Sequence, residues 1–229
     1  MPCLILSVLL VACLSGCGGK PQAKAQSPAP KANAYLALGD SYTYGESVEY
    51  EDCWTVLLAQ ALRKNNIDIG EPIFCARTGW TTNDLQKALD KAHYTGPFRL
   101  VTLQIGVMDF SRNGTPDDFR PKFARLLSQA IELTGGNARH VLVISIPDYD
   151  YLPFRKFGRQ NISKDLEPMN AVCREEAKKQ GVAFIDVTEI CKLAQTKTEL
   201  QSSDRYHFTG EMYRLWVQAM LPDALKVIK

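Results

Sequence analysis

Five short apolar or β-branched segments, separated by stretches of helical periodicity, constrain this chain more than any other feature. The segments span residues 34–38, 72–76, 100–105, 140–146 and 182–186. Between them, apolar residues recur at three- and four-residue intervals over 54–65, 83–92, 117–134 and 166–180, and a last such stretch covers 210–226. Phe119, Phe123, Leu126, Leu127 and Ile131 show the spacing, which lays them along one helix face. Gly135-Gly136 and Gly181 stand where two of these patterns stop. Parallel strands need a long crossover, and a helix laid across the sheet provides it. The alternation therefore predicts an α/β fold with a mostly parallel five-stranded sheet, covered by helices on both faces. No internal repeat is visible and no second domain is needed.

The amino terminus stands outside this pattern. Leu4 to Leu14 is apolar but too short to span a bilayer, as in the h-region of a signal peptide. It ends in Leu14-Ser15-Gly16-Cys17, which resembles the lipobox of bacterial lipoproteins, although Met1-Pro2-Cys3 carries no Lys or Arg. The resemblance implies cleavage before Cys17 and lipidation of its thiol; a plain secretory peptide or a buried helix is the other reading. Residues 18–33 are rich in Gly, Lys, Pro, Ala, Gln and Ser and lack either periodicity, which reads as a flexible tether. The chain thus divides into a lipoprotein signal peptide (1–16), a lipidated cysteine with its tether (17–33) and a folded domain (34–229). Gly18 and Gly19 bring no acidic residue after Cys17, which by resemblance to enteric sorting favours the outer membrane. The expected location is the bacterial cell envelope, on the outer membrane or facing the periplasm.

A hydrophobic content of 45% with 23% charged residues is that of a globular chain. The net charge of +2 is spread without a dense basic run, so no nucleic-acid partner is expected. Export would leave Cys53, Cys75, Cys173 and Cys191 in an oxidising compartment, an even set with three possible pairings. Cys53 with Cys75 and Cys173 with Cys191 are favoured, because each pair brackets one helix–strand unit. A zinc site is the alternative, but neither Cys-x-x-Cys nor clustered histidine accompanies it. No metal or organic cofactor is expected.

In open α/β sheets ligands bind beyond the carboxyl ends of the strands. That rule marks residues 39–45, 77–82, 106–113 and 147–159, with 202–209 able to join them. Gly39-Asp40-Ser41-Tyr42 follows the first apolar segment directly. A serine hydroxyl is a poor nucleophile unless a base lies within hydrogen-bond reach. The mature chain has three histidines, His93, His140 and His207. His140 opens a strand and so sits at the amino edge, and His93 ends a helix away from the strand carboxyl ends. His207 remains, with Asp204 three residues before it to orient the ring. A serine in an Asx-like turn and a histidine capping the last helix is the structural alternative.

Together these residues resemble the SGNH (GDSL-like) hydrolase family. Gly39-Asp40-Ser41-Tyr42 is similar to its first block, Arg77-Thr78-Gly79-Trp80-Thr81-Thr82 to its second and Asp204-x-x-His207 to its last. The resemblance implies a three-layer, flavodoxin-like α/β/α sandwich and hydrolysis of esters without a cofactor. It implies Ser41 as nucleophile, His207 as base and Asp204 as orienter, with the backbone amides of Ser41 and Gly79 as oxyanion donors. The third block departs, because Gly106-Val107-Met108-Asp109 puts Met108 where the family has an asparagine that donates to the oxyanion. A thioether donates nothing, and an ionised Asp109 beside it would repel an oxyanion. Loss of one such donor costs roughly 100- to 1000-fold in turnover.

Three readings of Met108 follow. It packs and leaves a slow or selective esterase; Asn83 or Asn113 fills the gap; or catalysis is lost and the pocket binds glycans or lipids. A small or medium acyl ester, such as an acetylated glycan, is the expected substrate, and lysophospholipid is another. Tyr42, Tyr44 and Trp80 either line the substrate pocket or pack. The mixed aromatic and basic loop 148–157 reads as a lid, a platform or edge packing. Thr81 and Asp84 have the spacing of a helix capping box.

Overall fold

The computed structural model describes residues 31–153 and 161–228. The leader, Cys17 and nearly all of the tether lie outside the described residues, as does the part of loop 148–157 from residue 154 onward. Five strands form one sheet: β1 (Tyr35–Gly39), β2 (Pro72–Ala76), β3 (Leu100–Gln104), β4 (Val141–Ile144) and β5 (Ala183–Ile185). Their order is β2-β1-β3-β4-β5, and every pairing is parallel. This is the flavodoxin-like doubly wound order. Every residue of β1, β3 and β4 is buried, as a sheet covered on both faces requires. On the edge strand β2, Ile73 is exposed.

Five long helices make the outer layers: α2 (Trp54–Lys64), α3 (Thr82–Ala92), α5 (Pro116–Leu133), α6 (Ile162–Lys179) and α8 (Gly210–Ile228). The crossovers put α2 and α8 together on one face and α3, α5 and α6 in a row on the other. The sandwich expected from the strand–helix alternation is therefore present, and β2 spans the expected residues. α6 begins at Ile162, one turn before the expected start, and carries Pro168 within it. Three one-turn helices were not expected: α1 (Ser41–Tyr44), α4 (Val107–Ser111) and α7 (Thr188–Cys191). Each is too short for a 3.6-residue period to register.

The order reverses between β1 and β3, so the loops leaving those two strands diverge and open a crevice. In the register Gly39 lies beside both Ala76 and Gln104, which sets the carboxyl ends of the three strands level. The first, second and third sequence blocks begin at these three ends.

The expected disulfides are absent, and Cys53, Cys75, Cys173 and Cys191 are free, buried thiols. Bracketing a helix–strand unit in sequence does not bring the sulfurs together. Cys53 faces the carbonyls of Tyr44 and Glu49, whereas Cys75 is paired with Tyr94. Cys173 lies within α6, while Cys191 faces Trp216 of α8 in the opposite layer. Burial pushes the Cys53 and Cys75 thiols up to about 11 and raises those of Cys173 and Cys191 too, so all four stay protonated near neutral pH.

Candidate active site

The turn after β1 depends on a missing side chain. A Cβ on Gly39 would come within 2.1 Å of Thr43 Oγ1 and 2.4 Å of the Gln104 carbonyl, so only glycine lets α1 fold against β3. Asp40 caps α1, its Oδ1 accepting the Tyr42 amide at 3.1 Å, and Thr43 Oγ1 donates to the Gln104 carbonyl at 3.3 Å. Ser41 is thereby fixed as the first residue of a helical turn at the sheet edge.

Across the crevice, the chain before α8 forms a tight loop in which the Ser202 amide donates to the His207 carbonyl at 3.0 Å. Tyr42 ties the two loops together, its hydroxyl donating to the Tyr206 carbonyl at 2.8 Å and its ring lying 4.9 Å from that of His207. Of the two readings given for Tyr42, its position fits packing: the side chain is fully buried beneath the histidine and against Trp216. It supports the ring.

His207 Nε2 lies 2.9 Å from Ser41 Oγ, and His207 Nδ1 lies 2.5 Å from Asp204 Oδ2. A carboxylate only accepts, so Nδ1 carries the proton and Nε2 is free to accept from the serine. Asp204 Oδ1 accepts from the amides of Tyr206 and His207 at 2.8 and 2.9 Å and from Ser202 Oγ at 2.5 Å. Ser47 Oγ adds a bond of 2.6 Å to Oδ2. Burial alone would raise the Asp204 carboxyl, but bonds from Ser202, Ser47, His207 and Tyr206 outweigh it and hold the group well below the usual carboxylate range. An ionised acid, an oriented imidazole and a hydroxyl in hydrogen-bonded series can pass a proton from serine to histidine. His140 ends the turn before β4 and His93 caps the end of α3, both apart from this series.

Asp40 is the other ionisable group here. Its side chain is buried, its Oδ2 has no hydrogen-bond partner, and the amides of Gly106 and Val107 lie near the carboxyl group. Desolvation pushes its pKa up to about 7; the backbone amides offset only part of this, and the nearby Asp109 charge adds to it. A raised folded-state pKa means the native protein binds this proton more tightly than the unfolded chain. The contribution to stability is fully present below about pH 4 and is lost as pH rises through about 7, by at most about 4 kcal/mol. Asp40→Asn keeps an acceptor for the Tyr42 amide and removes the titration. The variant is expected to gain on the wild type in urea unfolding between pH 4.5 and pH 8; equal stability differences at both values would contradict this.

The second loop carries Gly79 in a left-handed conformation (φ +80°) with nothing within 4 Å of where a Cβ would sit, leaving open space beside its backbone. Thr78 donates to Glu46, which pins this loop to the one following Ser41. Thr81 and Asp84 form the expected capping box at the start of α3. Trp80 is half-buried against the core, and Tyr44 is half-exposed.

In the third loop, Met108 is half-buried on α4. Asp109, expected to repel an oxyanion if ionised, turns its two oxygens to α3, where they accept the Thr82 amide and hydroxyl at 2.9 and 2.6 Å. It braces α4 against α3. Asn83 lines a cleft of about 270 Å³ with Asp109, Arg112 and Lys122, to which neither Ser41 nor His207 contributes. Asn113 turns the chain after α4 with φ +63°. Loop 148–157 packs where it is described: Tyr149 and Leu152 are buried, and the Tyr149 ring meets those of Phe110 and Tyr206. Among the described residues no group of three or more His, Cys, Asp and Glu side chains could hold a metal ion, and no helix is long and apolar enough to cross a membrane.

Sequence reasoning did not find Ser47 or the Asp109–Thr82 brace. Ser202 carried a weak local signal, a serine two residues before an aspartate.

Residues 37–215 match the model of a family described as GDSL-like lipase/acylhydrolase. The match spans Ser41, Asp204 and His207, in agreement with the resemblance read from the blocks. No curated protein matches the chain. Among solved structures, the chain is similar to a lipase/acylhydrolase from Enterococcus faecalis at 21% identity and a TM-score of 0.62, covering 83% of this chain and 94% of that one. It is similar to the acetylxylan esterase Axe2 from Geobacillus stearothermophilus at 13% identity and a TM-score of 0.65, covering 84% and 94%. It is also similar to the psychrotrophic esterase EstA from Pseudoalteromonas sp. at 17% identity and a TM-score of 0.60, covering 85% and 97%. At these identities the likeness concerns the fold.

Proposed function

We propose that this chain, which belongs to the GDSL-like lipase/acylhydrolase family of carboxylic ester hydrolases, cleaves small or medium acyl esters, acetylated glycans among them, through Ser41, His207 and Asp204. Ser41 Oγ bonds to the ester carbonyl carbon as its proton passes to His207 Nε2. Asp204 holds the imidazolium that forms. The carbonyl oxygen takes the negative charge and faces the backbone amides of Ser41 and Gly79. Collapse breaks the ester bond, and His207 returns the proton to the departing alcohol. Water then gives a proton to His207 and attacks the acyl carbon; the bond to Ser41 Oγ breaks, the acid leaves, and His207 returns the proton to Ser41.

One observation carries this reading. Residues from opposite ends of the domain meet in a single relay, Ser41 Oγ at 2.9 Å from Nε2 and Asp204 at 2.5 Å from Nδ1. The choice of small or medium acyl groups, acetyl among them, draws on the likeness to an acetylxylan esterase. Residues 34–229 form the hydrolase domain in this reading, tethered through lipidated Cys17 to the outer membrane or a periplasm-facing surface. Met108 favours a second reading, in which the crevice binds a glycan or lipid without turnover.

The test pairs an aryl acetate and an acetylated xylooligosaccharide with fluorophosphonate labelling, on wild type and Ser41→Ala. Wild type is expected to take the label and release acetate, and the variant to do neither. Wild-type release no faster than that of the variant would sink the esterase reading, and absence of labelling as well would support the binding module.

A further inference from the structure

The loop following Ser41 reaches across to the acid of the last loop. Ser47 Oγ donates to Asp204 Oδ2 at 2.6 Å, and that same oxygen accepts His207 Nδ1 at 2.5 Å. Ser47 holds a left-handed backbone with φ +66°, a conformation serine rarely adopts. Gly45 before it is also left-handed, and the Val48 amide closes the turn on the Gly45 carbonyl at 3.3 Å. A backbone outlier held by its surroundings is a pointer to function. Ser202 differs, because it stands two residues from Asp204 and bonds the other oxygen, as serines near an aspartate commonly do in local turns. Ser47 comes from 157 residues away and shares the oxygen that faces the histidine.

We propose that Ser47 is a positioning residue of the hydrolytic site, whose hydroxyl shares Asp204 Oδ2 with His207 and limits how firmly Asp204 holds the imidazolium formed during reaction. The inference rests on the relay assigned above. A carboxylate oxygen divided between two donors interacts less strongly with each, and the bond to charged imidazolium is the stronger of the two. With Ser47 in place, Asp204 Oδ2 is divided between two donors and holds the histidine less firmly. The bond also ties the first loop to the last, which steadies the distance between Ser41 and His207.

Ser47 is exposed and lines a cleft of about 540 Å³ that also includes Glu49, Asp52, Ser202 and Ser203. Other charged or titratable groups lie around the pair. Glu49 and Asp52 belong to the turn before α2, and Asp52 is paired with Arg214 of α8. Tyr206 of the same loop as His207 and Tyr213 of α8 both sense the charges of Asp204 and Asp40, the Tyr42 ring lies near that of His207, and Arg205 follows Asp204 in sequence. All of them remain when Ser47 is changed, so a difference between variants reads the hydroxyl.

The experiment follows the His207 ring signals by NMR through a pH titration in wild type, Ser47→Ala and Ser47→Gly, assigned by their loss in His207→Gln. Glycine accepts the positive φ and isolates the hydroxyl from backbone strain, which keeps the test open if the alanine variant folds poorly. Removing the hydroxyl leaves Asp204 freer to hold the charged ring, so the titration midpoint should move upward by about half to one pH unit in both variants. The acidic limb of kcat/KM for an aryl acetate should move the same way. Midpoints that coincide with wild type, or move down, overturn the proposal. A shifted midpoint in a protein without ester turnover would uphold the positioning role and defeat the hydrolase reading; turnover without a shift would defeat the positioning role alone.

Discussion

Replacing His207 by alanine should lower kcat/KM for an aryl acetate by roughly 10,000- to 1,000,000-fold, because a triad acts as a unit and loses most of its effect with any one member. The geometry offers no substitute base. Nε2 is the ring nitrogen set against Ser41 Oγ, at 2.9 Å, while His93 and His140 close a helix and a turn elsewhere. Asp40 is adjacent, with a pKa pushed up to about 7, but its Oδ1 caps α1 and its carboxyl group is buried beside the amides of the third loop. Asp204→Asn should cost about 10,000-fold, since an amide no longer selects the tautomer with the proton on Nδ1. Stopped assays at several pH values, with thermal melts to verify folding, would measure both. A rate within tenfold of wild type for His207→Ala would show that the relay is not the catalytic device.

The parts of this arrangement that could be read from sequence are those with a local signature. Strand β1 ends in a glycine followed by an acid and a serine, and the parallel sheet covered on both faces follows from strand–helix alternation. Elimination among three histidines pointed to His207 because each of the others sits at an element end that topology places elsewhere. Less legible were features that depend on where side chains turn. Tyr42 stands next to Ser41 in sequence, yet the helical turn of α1 points it inward under His207. Asp109 follows Met108 directly, yet it is taken up by Thr82. The cysteines bracket plausible units, but sulfur positions depend on which layer each side chain enters. Ser47 has no sequence signal at all, because its partner is 157 residues away and its backbone angle is set by the turn around it.

Met108→Asn should raise kcat by about 100- to 1000-fold while moving KM little, because an oxyanion donor acts on charge present only in the transition state. The backbone that would carry the new amide is already in place. Gly106 leaves β3 beside the end of β1, α4 begins at Val107, and Asp109 locks that turn to the amino end of α3 through Thr82. Asparagine at a half-buried helical position exchanges a flexible apolar chain for a shorter polar one, a change worth about 1 kcal/mol or less in stability. Any rise in rate is therefore not a folding effect, and melts of the two proteins would verify this. A gain in kcat that disappears when Ser41→Ala is added places the amide in the same reaction as the serine. An unchanged kcat means that the charge on the carbonyl oxygen is met by groups other than residue 108, and the slow-esterase explanation of Met108 is then wrong. The comparison turns a single missing donor into a measured quantity, the difference in transition-state stabilisation between a thioether and an amide at one position.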